Sequence, residues 1–350
     1  MNAPALVGFV TGATAVGKSE AALLLCEQRG WELLSVDSRQ VYRGLDVGTA
    51  KPTAAERARV VHHGIDLIEP SQAFSAGGFR EYALGVLEQA RRSGRRLLAV
   101  GGAGFYWEAL IRGLHPLPPA SPEIRRRHAR IVAEEGPEAL HALLRSVDPA
   151  TAARLAPRDR QRASRALEVA ELTGIPLSAH LRGRRTGSLG GGPADGWVDP
   201  KGGTPAEPPR EDAIDQTLPM IVALTRPRPE LYRRIEERCR RMMAAGLVAE
   251  LAALLRQGVP PDAPGLRTVG YREFLPHLLE GRALAVCEEG FVRASRRYAK
   301  RQETWLRHRL PERIELRVGD EEPAAETAVR IARALAGGGE GIGEGAGHFA

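Results

Sequence analysis

The apolar run ALVGFV, residues 5–10, leads through Thr11 into GATAVGKS, Gly12 to Ser19, and this stretch decides the fold. A short apolar run of this kind reads as a buried strand. The eight residues after it match G-x-x-x-x-G-K-[ST], a loop whose backbone N–H groups wrap a run of phosphates. In such a loop the lysine reaches the outer phosphate oxygens and the serine hydroxyl faces Mg²⁺. The next residues, EAALLLCEQRG, continue as a helix to Arg29 that Gly30 closes. The loop recognises a diphosphate: ATP is its commonest ligand, yet nothing in the loop demands a nucleoside.

Working outward, ELLSVD (32–37) and RRLLAV (95–100) read as two further strands, with a helix between them that is capped near Ser75 and runs to Gly94. Strands alternating with helices predict βαβ units and a parallel sheet covered on both faces, a P-loop-type α/β fold. Ligands of such sheets collect at the carboxyl ends of the strands. That rule brings together the phosphate loop, Asp37-Ser38-Arg39-Gln40 and Gly101-Gly102-Ala103-Gly104. After LHPLPPASP the texture changes to Arg-rich helical segments without a strand, so residues 115–182 read as an inserted all-α domain. Residues 183–212 are dense in Gly and Pro and read as a disordered loop. LPMIVALT resumes the sheet, a long helix broken near Gly246 follows, and another helix precedes a last strand, RIELRV. The predicted catalytic core is therefore discontinuous, 1–114 with 213–320, and 335–350 is a disordered tail.

Composition narrows the class. The chain has 350 residues, 43% apolar, enough for one large domain or two. No apolar run approaches the roughly 18 residues of a membrane span and no leader pattern opens the chain, so a cytoplasmic protein without membrane contact, and a monomer, is expected. Cys26, Cys239 and Cys287 lie far apart with no metal-ligand spacing and read as small core residues. The formal charge of +7 suggests an acidic partner such as nucleic acid. Only four of the 50 basic residues are lysine, however, and so strong an arginine bias also fits a GC-rich genome.

The companions of a nucleotide hydrolase are missing. LLAV ends in Gly-Gly where a Mg²⁺-orienting Asp would stand. An N-K-x-D guanine reader is impossible, because Asn2 is the only asparagine. Asp37 reads either as a cap or Mg²⁺-water ligand, as in small-molecule kinases, or as a general base. The sequence DSRQ places a carboxylate, a hydroxyl, a guanidinium and an amide in succession, which suits reading a hydrogen-bonding heterocycle.

Ten blocks then occur in a characteristic order: GATAVGKS, VDSRQVYRGLDVGTAKP, HHGIDLIEP, FSAGGF, GGAGFY, RDRQRASRALEV, TGIPLS, LYRRIEERCRRMMAAGL, TVGYRE and RRYAKRQETWLR. From about Leu6 to Val318, excepting the Gly/Pro-rich segment, the chain resembles the tRNA dimethylallyltransferase (isopentenyltransferase) family. The resemblance implies transfer of a dimethylallyl group from dimethylallyl diphosphate to the exocyclic amine of the adenine 3′ to the anticodon, with Mg²⁺. Gly12, Ala13, Thr14, Ala15, Val16, Gly17, Lys18 and Ser19 would then cradle the diphosphate, with Ser19 on the metal. Asp37 matches the family's base, Thr14 a threonine beside the diphosphate bridge, and Arg234 an arginine reaching the diphosphate from the other side. These three and Lys18 are the implied catalytic set.

The tRNA anticodon arm would be met by Asp37, Ser38, Arg39, Gln40 and Ala103. In the helical insertion Arg125 and Gln161, Arg162, Ala163, Ser164 and Arg165 match tRNA contacts. A third set is Arg267, Thr268, Val269, Gly270, Tyr271 and Arg272. Extruding a stacked adenine costs a few kcal/mol, which phosphate contacts must offset. The resemblance turns the positive charge toward RNA. Two departures stand out: Ala13 replaces a usual proline, and Ala103 a usual threonine, so that water, or Thr14 with Gln40, must replace a hydroxyl. His62 and His63 read as structural or surface residues, and the tryptophans as packing. Two rivals remain, a small-molecule kinase using ATP and a non-catalytic RNA-binding protein.

Overall fold

The computed structural model describes residues 5–182, 220–310 and 313–337. The Gly/Pro-rich segment 183–212 and residues 338–350 of the expected tail lie outside the described residues. Two compact units divide the chain, residues 1–113 with 209–350, and residues 114–208.

In the first unit, β1 (Leu6–Gly12), β2 (Glu32–Ser35), β3 (His62–His63), β4 (Leu97–Gly101), β5 (Ile221–Thr225) and β6 (Ile314–Arg317) form one parallel sheet in the order β3-β2-β4-β1-β5-β6. β1 is flanked on both sides, with Val10 opposite Val100 of β4 and Val222 of β5. Its near-continuous burial follows, since a central parallel strand meets no water on either face. The chain passes from β1 through α1 (Lys18–Arg29) to β2, leaving a gap that β4 later fills. This reversal of strand order opens the ligand crevice at the carboxyl ends.

Several elements went unread in the sequence. β3 is only two residues long, and both are histidines whose imidazoles are already engaged. His62 Nδ1 lies 2.7 Å from the Val60 carbonyl oxygen and His63 Nε2 lies 2.7 Å from Glu32 Oε2. They finish an edge strand and its neighbour.

The longest unread element follows the other helices of this unit: α2 (Ala54–Arg59), α3 (Ala76–Arg92) and α4 (Gly104–Arg112) in the first half of the chain. The inserted unit holds α5 (Pro122–Glu135), α6 (Pro137–Val147), α7 (Pro149–Ala152), α8 (Arg160–Thr173) and α9 (Leu177–Arg182). Back in the first unit come α10 (Arg228–Ala244), α11 (Leu247–Arg256), α12 (Leu275–Glu280), α13 (Leu284–Arg309) and α14 (Ala324–Ala336). α14 begins beyond 320 and runs into the segment read as tail. Ala328 and Ile331 are buried on it, and Leu335 lies so close to β1 that a Cβ on Gly8 would come within 2.4 Å of it. The helical period was present in Ala328, Ile331 and Leu335, but alanine-rich sequence hides it. Gly246, at φ 94°, separates α10 from α11 where a break was expected.

Within the inserted unit the caps are written locally. Ser121 accepts from the Ile124 N–H, Asp148 from Thr151 and Asp159 from Arg162, while Pro122, Pro137 and Pro149 open their helices. The core of this unit is Leu140, Leu144, Ala152, Ala163, Ala166 and Leu167.

Candidate active site

Gly12 ends β1 at φ 150°, and a Cβ there would lie 2.7 Å from the Leu224 carbonyl oxygen, so only glycine lets the loop leave the sheet. Ala15 and Gly17 follow with φ of 66° and 109°. Such turns curl a loop backbone around an anion at the positive end of a helix, here α1, although the Thr14 N–H is taken by Gln302 and the Val16 N–H by the Ala13 carbonyl. Lys18 opens that helix and its ammonium folds back to donate to the Ala13 carbonyl at 3.2 Å. Burial, and then Arg238, pull the Lys18 pKa down to about 8 against the opposing pull of Asp37. Ser19 is exposed on the first turn.

Two arginines from beyond β5 grip the loop. Arg226 Nε donates to Val16 O at 2.9 Å and Arg234 Nε to Ala15 O at 3.0 Å. Arg238 is one helical turn beyond Arg234 on α10, and its charge is felt by Lys18 and Asp37. Burial holds the Arg238 guanidinium below its ordinary pKa, against the pull of Asp37. Arg238 was not among the site residues expected from the sequence, and its charge reaches Lys18 of the phosphate loop.

Asp37 follows β2, and its Oδ1 accepts the Arg39 N–H at 2.7 Å, which fixes the carboxylate in a tight turn. Burial raises the pKa of both Tyr106 and Tyr298, and the Asp37 charge raises each further. The carboxylate thus stands in electrostatic range of Lys18, Arg238, Tyr106 and Tyr298. Gln40 is otherwise occupied: it accepts from Ser35 Oγ at 2.8 Å and donates to Ala50 O at 3.1 Å. Behind it, buried Lys51 donates to Tyr42 O, Asp46 and Asp66 at 2.5–2.7 Å. Much of the DSRQVYRGLDVGTAKP block is therefore folding machinery behind Asp37.

The glycines after β4 record close approach. A Cβ on Gly101 would sit 2.0 Å from Val36 O, on Gly102 2.2 Å from Gln302 Nε2, and on Gly104 2.3 Å from Trp305. Gln302 of α13 joins this turn to the phosphate loop: it accepts from the Thr14 N–H at 2.8 Å and donates to Gly102 O at 2.9 Å. Ala103 is buried and donates its N–H to Val36 O, so it contributes backbone only.

The remaining candidates divide by exposure. Arg267 and Arg272 face solvent, Val269 is half-buried and Gly270 is a buried turn at φ 107°. Thr268 and Tyr271 are buried, and the Tyr271 hydroxyl donates to Glu250 at 2.5 Å while accepting the Gly48 N–H. In the inserted unit, Gln161 and Arg162 are exposed, Ala163 is core, and Ser164 lies 2.9 Å from His128 Nδ1. Arg125 and Arg165 converge on Glu168, whose side chain is 0% exposed and which also accepts the Ser121 N–H. Sequence reasoning missed Gln302, Arg226, Glu168 and Glu250. Each lies within or beside a block already singled out, but for each a decisive partner lies 43 to 288 residues away.

A strand-loop-helix phosphate cradle faced by a carboxylate, a lysine and arginines on one parallel sheet defines a P-loop-type enzyme that handles a phosphorylated substrate. The family model described as IPP transferase matches residues 40–309, and one described as isopentenyl transferase matches residues 6–62. A tRNA dimethylallyltransferase of Halorhodospira halophila is 45% identical over 88% of this chain and 91% of its own length. Another, from Burkholderia thailandensis, is 40% identical over 95% of both. The crystal structure of the tRNA isopentenylpyrophosphate transferase of Bacillus halodurans is similar at a TM-score of 0.60, with 32% identity, covering 94% of this chain and 96% of that one. The chain belongs to the IPP transferase family.

Proposed function

We propose that the protein transfers a dimethylallyl group from dimethylallyl diphosphate to the N6 amine of the adenosine 3′-adjacent to the anticodon in tRNA, releasing diphosphate. The observation that carries this reading is a carboxylate fixed just after β2, where Asp37 accepts the Arg39 N–H, with its charge acting on Lys18 of the phosphate loop and on Arg238. A carboxylate there is poorly placed to bind phosphate and well placed to take a proton from a group attacking beside it. An aromatic amine has a delocalised lone pair, so its attack gains from a base acting as the bond forms. The N6 lone pair forms the bond to the allylic carbon, the carbon–oxygen bond to diphosphate breaks, and the N6 proton passes to Asp37. Negative charge growing on the diphosphate is met by the loop N–H groups, Lys18, Arg234 and Arg238. Thr14 lies in the same loop, its N–H held by Gln302.

Among the described residues no group of three or more His, Cys, Asp or Glu could hold a metal. The donor set nevertheless fits Mg²⁺, which keeps several waters and binds through phosphate oxygens with few protein ligands. The exposed Ser19 hydroxyl would hold it, and bound there it would neutralise charge on the leaving diphosphate. Ser38 and Arg39 follow Asp37 and would receive the base. The exposed arginines Arg267, Arg272 and Arg162, and the half-exposed Arg125, would position the RNA backbone. Cytoplasmic work follows from such a substrate.

The test is incubation of the purified protein with unmodified tRNA, dimethylallyl diphosphate and Mg²⁺, followed by nucleoside analysis. Prenylated adenosine at the position 3′ to the anticodon supports the reading. ATP turnover without it would favour a kinase, and tRNA binding alone a non-catalytic protein.

A further inference from the structure

Arg226 stands directly after β5, and its side chain is 2% exposed. Its Nε donates to the Val16 carbonyl at 2.9 Å, and its Nη1 contacts both the Glu230 carboxylate and the Gly319 carbonyl. Its Nη2 borders the next loop residue: a Cβ on Gly17 would lie 3.7 Å away. Glu230 is 10% exposed, so the ion pair is nearly dry. A buried guanidinium with its charge cancelled by a neighbour does little for a distant anion, and what it retains is geometry.

We propose that Arg226 is a positioning residue for the phosphate loop, holding the Val16–Gly17 peptide so that the Gly17 N–H is presented to the diphosphate. The peptide unit is planar and trans, so its C=O and N–H point in opposite directions. A carbonyl drawn back to Arg226 therefore fixes the N–H on the other side. Gly17 sits at φ 109°, one of many conformations a free glycine would sample. Arg226 selects this one before substrate arrives, and Glu230 and the Gly319 carbonyl in turn hold Arg226. Lys18 and Arg238 carry charge toward the substrate; Arg226 shapes the backbone that receives it. The assignment rests on reading the loop as a diphosphate cradle.

The test compares the full chain with Arg226→Met and Arg226→Lys, using calorimetric titration of inorganic diphosphate, steady-state kinetics and tRNA binding. Losing one loop N–H to phosphate contact should weaken inorganic diphosphate binding in Arg226→Met by about tenfold. KM for dimethylallyl diphosphate should rise by a similar factor, with tRNA affinity within about twofold of wild type. Arg226→Lys, which keeps the charge without the fork, should fall between. A folded variant that binds inorganic diphosphate within about twofold of wild type, whatever its melting temperature, would overturn the assignment. If Arg226→Met does not fold, Arg226→Lys decides by the same criterion. A wild-type protein that binds inorganic diphosphate but prenylates nothing would sink the reaction while leaving the Arg226 test intact; one that binds no diphosphate sinks both.

Discussion

In the proposed reaction Lys18 and Asp37 would divide the chemistry between them, one charge for the leaving group and one for the proton. If Asp37 takes the proton from N6, Asp37→Ala should lower kcat by at least about 10²-fold while tRNA affinity stays unchanged. Equal losses in turnover and affinity would make Asp37 an organiser of its turn. Lys18 supplies a pH test. With its pKa pulled down to about 8 in the free site, it loses its charge as pH rises through that value. A bound diphosphate favours the charged form, so binding above about pH 8 takes up a proton and affinity should fall by up to about tenfold per pH unit. Lys18→Arg stays charged throughout, so the ratio of the two proteins' diphosphate affinities between pH 7.5 and 9.5 isolates this one group. A constant ratio would show that Lys18 does not titrate there.

At the scale of elements, the blocks that identify the family split into chemistry and scaffold. The DVGTAKP and VGYRE segments are wired to each other: Glu250 of α11 accepts the N–H groups of Asp46, Val47 and Gly48 and the Tyr271 hydroxyl. In the inserted unit Glu168 binds α8 to α5 through Arg125 and to the segment before α5 through Ser121. Burial pushes its carboxyl up, and the bonds from Arg125, Arg165 and Ser121 outweigh that and hold it below the ordinary carboxylate range. Glu168→Gln keeps the shape but leaves two arginines without a counter-charge. Because both are partly in water, the expected loss is about 2 kcal/mol. Urea denaturation followed by circular dichroism would measure it, and an unchanged midpoint would mean that solvent replaces the pair.

For the whole molecule, α14 lies against α1 and β1, the elements that carry the phosphate loop. Ile331 is 0% exposed there. Ile331→Ala should cost about 2–4 kcal/mol, seen as a lower thermal midpoint for the full chain. A midpoint unmoved by that change would mean that α14 is not part of the folded core. No helix among the described residues is long and apolar enough to cross a membrane.

The sequence alone determined what is local. A phosphate loop needs a strand before it, a helix after it and glycines where φ turns positive, all within residues 6–29 of the chain. The cap at Ser75 and the break at Gly246 were likewise legible, because each acts within a few residues of itself; the caps at Ser121, Asp148 and Asp159 follow the same local rule, though only the structure brought them out. What only the tertiary structure decided is which side chains converge on that loop. Gln302 reaches Thr14 across 288 residues of chain, and Arg226 reaches Val16 across 210. Tyr271, matched to RNA in the sequence, went into the core, and Arg238, which was not among the expected site residues, lies in electrostatic range of Lys18 and Asp37. A residue's type and neighbours set its helix or strand, but its direction is set by whatever packs against that element, and a one-dimensional pattern does not contain the packing.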